Sequence, residues 1–349
     1  MNFTAIDAFC GSGGLSIGLR RAGFDVRLGF DSDPKCIATI RNNKDIFRHE
    51  AVCADIASML NGYLLGIVKL EPGELDLLAG GPPCQGFSVQ RTIGSDLDNR
   101  NLLVDDYAEL ILEVMPKFFL MENVVGIGGK RGREILEQFK HKISSAGYGI
   151  SESVLDAQNF GVPQRRRRVF VIGQYGGNSL NTFQWPETIS IKKTVRDAIG
   201  NLPEAAKSKK FETLHGHVSD RLSALNLERI RAVKAGEGRT SLPENLLAEC
   251  HRRDAAKIGH RNVYGRMSWD SVSPTITAKF DSFTRGQFGH PEADRSITLL
   301  EGALLQTFPK NFQFIGNKVE VARQIGNAVP PNLGFAVGSS IIKALTIVS

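Results

Sequence analysis

The chain has 349 residues, enough for one large α/β domain with a smaller module and too many for a single small core. Apolar residues make up 42% and charged residues 23%, an ordinary globular balance, and no run approaches about 18 consecutive apolar residues, which sets aside disordered and membrane-spanning classes. The net charge of +6 sits in one segment: residues 174–285 hold 18 Lys and Arg against 12 Asp and Glu, while the rest balances at 25 against 25, so that segment is where a polyanion is expected to meet the surface.

The N-terminus enters a strand-like FTAID at 3–7 without a basic and apolar leader, so a cytoplasmic protein is expected. Short apolar runs then alternate with amphipathic stretches: LSIGLRRAG (15–23), VRLGF (26–30), KCIATIRNN (35–43), LDLLAG (75–80), LLVDDYAELILEV (102–114), KFFLMENV (117–124), EILEQFKHKISSAG (134–147) and VFVIG (169–173). Strands alternating with helices in this way predict βαβ units and a mostly parallel sheet covered on both faces. The continuous apolar character of LDLLAG and KFFLMENV fits strands buried from both sides. Beyond Trp185 the chain turns polar and basic, with one amphipathic helix expected at 222–236. Apolar periodicity returns in SITLLEGALLQTFP (296–309), a helix opened by Ser296 or Thr298 as its cap. The simplest organisation is a first part at 1–175, an inserted module at 186–285, and a segment at 290–349 that rejoins the first part.

The five cysteines (Cys10, Cys36, Cys53, Cys84, Cys250) are odd in number and show no C-x-x-C spacing, which argues against a disulfide framework or a structural metal site. After the first strand, Asp7-Ala-Phe-Cys-Gly11-Ser-Gly13-Gly14 leads into a helix; such a turn brings backbone N–H groups close to a ligand, where open α/β sheets bind nucleotides. Asp31 closes the second strand, 20 residues past Gly11, and suits bidentate bonding to ribose hydroxyls; Asp55 follows the third strand, where it can accept from an adenine amino group. Asp33, before Pro34, reads instead as a helix N-cap. The spacing indicates an adenosine-bearing ligand without saying which.

The decisive segment is Gly80-Gly81-Pro82-Pro83-Cys84-Gln85-Gly86-Phe87-Ser88, following the buried run LDLLA. Two prolines stiffen the turn, and the thiol falls past the strand's C-terminal end, where α/β active sites collect. PPCQGFS, together with ENV at 122–124, QRRRR at 164–168 and QIGNAVPP at 324–331, resembles the cytosine-5 DNA methyltransferases, with the family's motifs in the family's order over roughly 3–175 and 262–340. DAFCGSGGLSIGL looks like the family's cofactor loop, and LLEGALLQTFP resembles its late scaffold helix.

The resemblance implies a Rossmann-like S-adenosylmethionine-dependent methyltransferase fold with a mixed, mostly parallel sheet and a smaller inserted target-recognition domain. It implies S-adenosylmethionine as cofactor, double-stranded DNA as substrate, no metal, and a monomer of the bacterial or phage modification type, with a cognate restriction endonuclease acting separately. Carbon 5 of cytosine is too weak a nucleophile to attack a sulfonium methyl until carbon 6 has been attacked covalently, and a cysteine thiolate, soft and easily expelled, suits that step. By resemblance Cys84 is that nucleophile and Glu122 the acid at ring nitrogen 3; an N-cap pair of Glu122 with Asn123 is the purely structural alternative. Of Arg166 and Arg168, which share a face at period two if the strand includes both, one contacts the base and the other holds backbone. The resemblance places Phe9, Gly11, Gly13, Asp31, Ser32, Asp55, Ile56, Pro82, Leu103 and Asn327 at the cofactor, and Ser88, Gln164 and Thr275 at the DNA. The polar loop from Gln85 to Arg100 is expected to close over a flipped base.

Cys10 stands where the family commonly has alanine, Asp31 where glutamate is usual, and Ser32 where a larger side chain often packs on adenine. Three other functions fit less well: a nicotinamide oxidoreductase leaves PPCQGFS and ENV unexplained; a transfer-RNA cytosine methyltransferase does not account for the basic insert; and a non-catalytic DNA-binding module is disfavoured because every chemical residue is present.

Overall fold

The computed structural model describes residues 3–83, 98–176, 182–252 and 262–348. Seven strands form one sheet: β1 (Thr4–Ala8), β2 (Asp25–Asp31), β3 (Glu50–Cys53), β4 (Leu77–Gly80), β5 (Phe118–Val124), β6 (Tyr148–Asp156) and β7 (Arg167–Tyr175), in the order β3-β2-β1-β4-β5-β7-β6. The helices are α1 (Gly14–Ala22), α2 (Pro34–Asn42), α3 (Lys44–Phe47), α4 (Tyr63–Val68), α5 (Asp98–Val114), α6 (Lys130–Ser145), α7 (Val195–Ile199), α8 (Ala224–Ala232), α9 (Glu249–Arg252), α10 (Leu299–Leu305), α11 (Lys318–Asn327) and α12 (Pro331–Val348).

Strands β1 to β5 pair in parallel, and β7 runs antiparallel between β5 and β6. The apolar runs read as doubly covered are so: every residue of β4 is buried, as are the first four of β5. Strand order reverses between β1 and β4, which opens a crevice at the strands' C-terminal ends, the ligand position of such sheets. The edge strand β6 was not foreseen. Its sequence YGISESVLD carries no continuous apolar run, because its middle alternates between half-buried and exposed positions.

Two compact units divide the described residues. The first comprises those of Met1–Ala157, Arg167–Thr188 and Val329–Ser349; the second those of Gln158–Arg166 and Ile189–Ala328. In the first unit a large core joins β1, β2, β4 and β5 to α5 and α6, through side chains such as Ile6, Leu28, Leu78, Leu110, Phe119 and Phe139. Helix α12 crosses α1 at close range: a Cβ on Gly18 would lie 2.6 Å from the backbone of Pro331 and Gly334, so only glycine allows that approach.

The second unit has short helices, isolated bridges and a small core of Ile230, Val233, Leu242, Tyr264 and Phe283. Arg266 organises it: the buried guanidinium donates to the carbonyls of Ile230, Val233, His290 and Ala293 and pairs with Asp294 at 2.7 Å. Helix α10 is capped by Thr298, one of the two residues expected for that role, in a capping box with Glu301. It packs on α7 and α11, so residues 290–328 cluster with the second unit, whereas the sequence pattern grouped 290–349 with the first.

Candidate active site

At the end of β1 the chain makes a left-handed turn, with Phe9 at φ 54°, Gly11 at 53° and Gly13 at 82°. Asp31, at the tip of β2, locks it: one carboxylate oxygen accepts the Gly11 N–H at 2.9 Å and the other the Asp33 N–H at 2.8 Å. Asp33 is the cap of α2 that the sequence indicated, accepting from the Lys35 N–H with Pro34 in the first turn. A side chain on Gly13 would run into the Phe47 ring, so this glycine allows the loop to seat. A Cβ on Gly11 would meet nothing within 4 Å, which leaves an open cradle on that side of the turn. The Phe9 ring is half-buried, with its centroid 6.3 Å from that of Phe30 and 6.2 Å from that of Tyr107.

The other expected cofactor residues of the first unit lie on neighbouring strand ends. Ser32 is exposed just past β2, and its carbonyl accepts from the exposed Cys53 thiol. Asp55 is exposed past β3; one of its oxygens accepts the Ser58 N–H at 2.9 Å, while Ile56 beside it is buried. Leu103 is half-buried on α5 against the core. Backbone amides at a left-handed turn, two acids at strand tips and a half-buried aromatic ring fit an adenosine-bearing cofactor, because a carboxylate oxygen offers more than one lone-pair site to a hydroxyl or amino donor.

Sequence reasoning passed over Asp7. It is 1% exposed on β1, and the Ser16 hydroxyl donates to it at 2.5 Å. Burial pushes its carboxyl up to about 7, with the charge of Asp31 adding to the effect. An acid inside the apolar run FTAID was the available signal, because carboxylates are rarely buried without a specific reason.

Next along the sheet, β4 releases Gly80, Gly81, Pro82 and Pro83. Pro82 is buried, and its carbonyl accepts from the Asn123 side chain at 3.0 Å, which ties this turn to β5. Glu122 lies within β5 and is not the helix cap of the structural alternative. Its carboxylate pairs with the Arg168 guanidinium at 2.9 Å, with side chains only 11% and 14% exposed. The antiparallel register sets Val124 opposite Arg168 and so brings the two side chains together. An atom of the same carboxylate lies 3.4 Å from where a Cβ on Gly81 would stand, so the glutamate adjoins the turn leading to position 84. Cys84, Ser88 and the rest of the loop to Leu97 lie outside the described residues.

The second unit holds the remaining candidates. Gln164, expected at the DNA, is fully buried: its amide donates to Gln306 and to the Leu305 carbonyl and accepts the Ile276 N–H, so it is an interior strut. Strand β7 begins at Arg167, so the period-two argument does not reach Arg166. Arg166 is the arginine that holds backbone: 1% exposed, it donates to the carbonyls of Ile276 and Gly326 at 3.0 Å and of Asn327 at 3.5 Å. Thr275 is half-buried, and its hydroxyl donates to the Arg165 carbonyl at 2.6 Å; Asn327 is exposed at the end of α11. Among the described residues no group of three or more His, Cys, Asp or Glu is placed to hold a metal ion, and no helix is long and apolar enough to cross a membrane.

A seven-stranded sheet with an antiparallel β7, a glycine turn at the tip of β1 and an acid at the tip of β2 is the architecture of an S-adenosylmethionine-dependent methyltransferase. Comparison with known proteins narrows the class. Residues 3–343 match the profile of C-5 cytosine-specific DNA methylases, and the chain belongs to that family. It is 37% identical over 97% of its length to the type II methylase M.HgiDII of Herpetosiphon aurantiacus, covering 95% of that protein. It is 36% identical over 99% of its length to the type II methyltransferase M1.HphI of Haemophilus parahaemolyticus, covering 88% of it. The solved structure of an E. coli prophage-encoded protein, described as a DNA modification methyltransferase, aligns with TM-score 0.76 and 26% identity over 99% of this chain and 100% of that one. The protein is therefore a DNA cytosine-5 methyltransferase that uses S-adenosylmethionine as methyl donor.

Proposed function

We propose that the Cys84 thiolate adds to carbon 6 of a cytosine rotated out of duplex DNA, and that Glu122 manages the proton at ring nitrogen 3 during this addition. The observation that carries the reading is the seating of the Glu122 carboxylate against Gly81 while Asn123 holds Pro82, which ties the residues just before Cys84 in the chain to the ENV strand end. Arg168, paired with Glu122, orients that carboxylate and offers its remaining N–H groups to the carbonyl of the base. When bound, S-adenosylmethionine supplies the electrophilic methyl group. Asp31 and Asp55 are proposed to hold its ribose and adenine, with Phe9, Ser32, Ile56, Pro82 and Leu103 lining the adenosine side and the amides of the Gly11–Gly13 turn facing its amino-acid end. Asn327, Thr275 and, after Cys84, Ser88 are proposed to contribute further cofactor and nucleotide contacts.

The basic stretch within 186–285 is proposed to read the DNA sequence and to supply most phosphate contacts, so affinity should fall steeply with salt. If exchanging this segment with that of another methylase left the methylated sequence unchanged, the assignment would fail. The likeness to type II methylases supports a role in restriction–modification, and a cytoplasmic monomer with a separately acting cognate endonuclease is proposed alongside it.

A duplex carrying 5-fluorocytosine within the recognition sequence, mixed with cofactor, should trap an adduct at Cys84; bisulfite sequencing of DNA from expressing cells defines that sequence. Absence of an adduct, or one that persists in Cys84→Ala, refutes the nucleophile assignment. Incubation with labelled cofactor and either duplex DNA or transfer RNA tests the RNA reading, and label in RNA alone would establish it instead.

A further inference from the structure

Tyr107 lies on α5, within the core of the first unit, and is 0% exposed. A purely apolar side chain would fill such a position without the penalty of burying a hydroxyl. Its hydroxyl is used: it bonds the carbonyl of Leu78 at 3.1 Å and that of Leu120 at 2.9 Å. A phenol has one proton to give, so two acceptors share it and the oxygen sits between adjacent strands β4 and β5. Burial keeps the phenol protonated, its pKa raised well above the ordinary tyrosine value.

Both carbonyls belong to strand residues that lead in the chain to the proposed reacting groups. Leu120 stands two residues before Glu122 on the same face of β5, and Leu78 two residues before Gly80, where β4 ends and the chain turns towards Cys84. The ring works at the same two places. A Cβ on Gly80 would lie 2.8 Å from a Tyr107 ring carbon, so the β4 exit rests directly on this ring. Its centroid is 6.2 Å from that of Phe9 in an edge-on contact, and on the other side it stacks on Phe139 of α6 at 6.4 Å with an interplanar angle of 3°. One buried side chain thus touches the strand carrying the acid, the exit leading to the nucleophile, and the aromatic of the cofactor turn.

We propose that Tyr107 is a positioning residue for methyl transfer: its hydroxyl fixes the height of the β4 exit relative to the end of β5, and its ring sets the attitude of Phe9. This rests on the assignment of Cys84 and Glu122 made above. Misplacement of reacting groups by a fraction of an ångström lowers the chemical rate without altering what binds.

The test uses the full-length enzyme and the variants Tyr107→Phe and Tyr107→Leu, with cofactor Kd by calorimetry, kcat and KM on a duplex substrate, the rate of adduct formation on a 5-fluorocytosine duplex, and Tm. Tyr107→Phe keeps the ring and loses only the bridge. It should lower kcat and the adduct rate together by about tenfold, leave cofactor Kd and DNA KM within about twofold, and shift Tm by less than about 4 °C. Tyr107→Leu should in addition weaken cofactor binding by about tenfold, because Phe9 loses its edge contact. An unslowed Tyr107→Phe beside a wild type that forms the Cys84 adduct overturns the inference alone. A parallel decline of Tm, Kd and kcat in Tyr107→Phe overturns it too, by making the hydroxyl merely part of the fold. A wild type without any adduct at Cys84 overturns the underlying assignment, and this inference with it.

Discussion

Replacing Asp7 by asparagine tests whether a buried proton is held beneath the cofactor turn. Asp7 is fully enclosed: Ser16 of α1 donates to it, and Asp31 on β2, Cys10 in the turn and Tyr107 on α5 all feel its charge. Burial lifts its carboxyl from the ordinary 3.8 to about 7, so between those values the folded chain keeps a proton that the unfolded chain has released. Stability from this group is therefore complete below about pH 4, falls as pH rises through the window, and is flat above about pH 8. At about 1.4 kcal/mol per pH unit, the ionised carboxylate costs the folded state about 4 kcal/mol at the alkaline end. Asparagine keeps an oxygen for the Ser16 hydroxyl and cannot ionise. Urea unfolding from about pH 5 to about pH 8 should show the wild type losing about 3 kcal/mol relative to Asp7→Asn over that range. His49 and His290, whose pKa values burial lowers to about 4, make both proteins less stable as pH falls below about 6.5, so the difference between the two curves is the observable. Two parallel curves would refute a proton on Asp7.

Glu122→Gln keeps the shape of the carboxyl but breaks the ion pair with Arg168 and its proton chemistry, so kcat should fall by about a hundredfold or more with cofactor Kd unchanged; a matching loss of cofactor affinity would contradict the role. Gly13→Ala must force a methyl into the Phe47 ring at φ 82°, and chemical denaturation should show a loss of about 3 kcal/mol, with weaker cofactor binding by calorimetry. Arg166→Met leaves the carbonyls of Ile276 and Gly326 without their buried donor, and a fall in stability of about 3 kcal/mol is expected. If the Met variant kept full stability but lost turnover, Arg166 would belong with the reacting groups after all.

The legible features were those whose geometry is set within a few consecutive residues. Gly11 and Gly13 take left-handed backbone because only the local chain decides φ, Asp33 caps α2 next to Pro34, and the doubly buried β4 and β5 announce themselves as apolar runs. The harder features depend on distant partners. Strand β6 has no apolar run of its own and exists through its pairing with β7; Asp7 looked like part of a motif and is a buried acid. The spacing puts Arg166 and Arg168 on one strand face if the strand includes both, yet β7 begins at Arg167 and the buried Arg166 donates to carbonyls more than a hundred residues further on.

The sequence by itself determined the chemistry available: a thiol after two prolines, an acid in ENV, a glycine turn and an adenosine-type acid spacing, each written contiguously and so independent of packing. Only the tertiary structure decided how these groups are used. It joined Glu122 to Arg168 through an antiparallel register, made Gln164 and Arg166 interior struts, gathered 290–328 with the second unit, and set Tyr107 beneath two strands. The reason is physical: dihedral preferences act between neighbours along the chain, whereas burial, charge pairing and shared protons are fixed by whichever segments pack together.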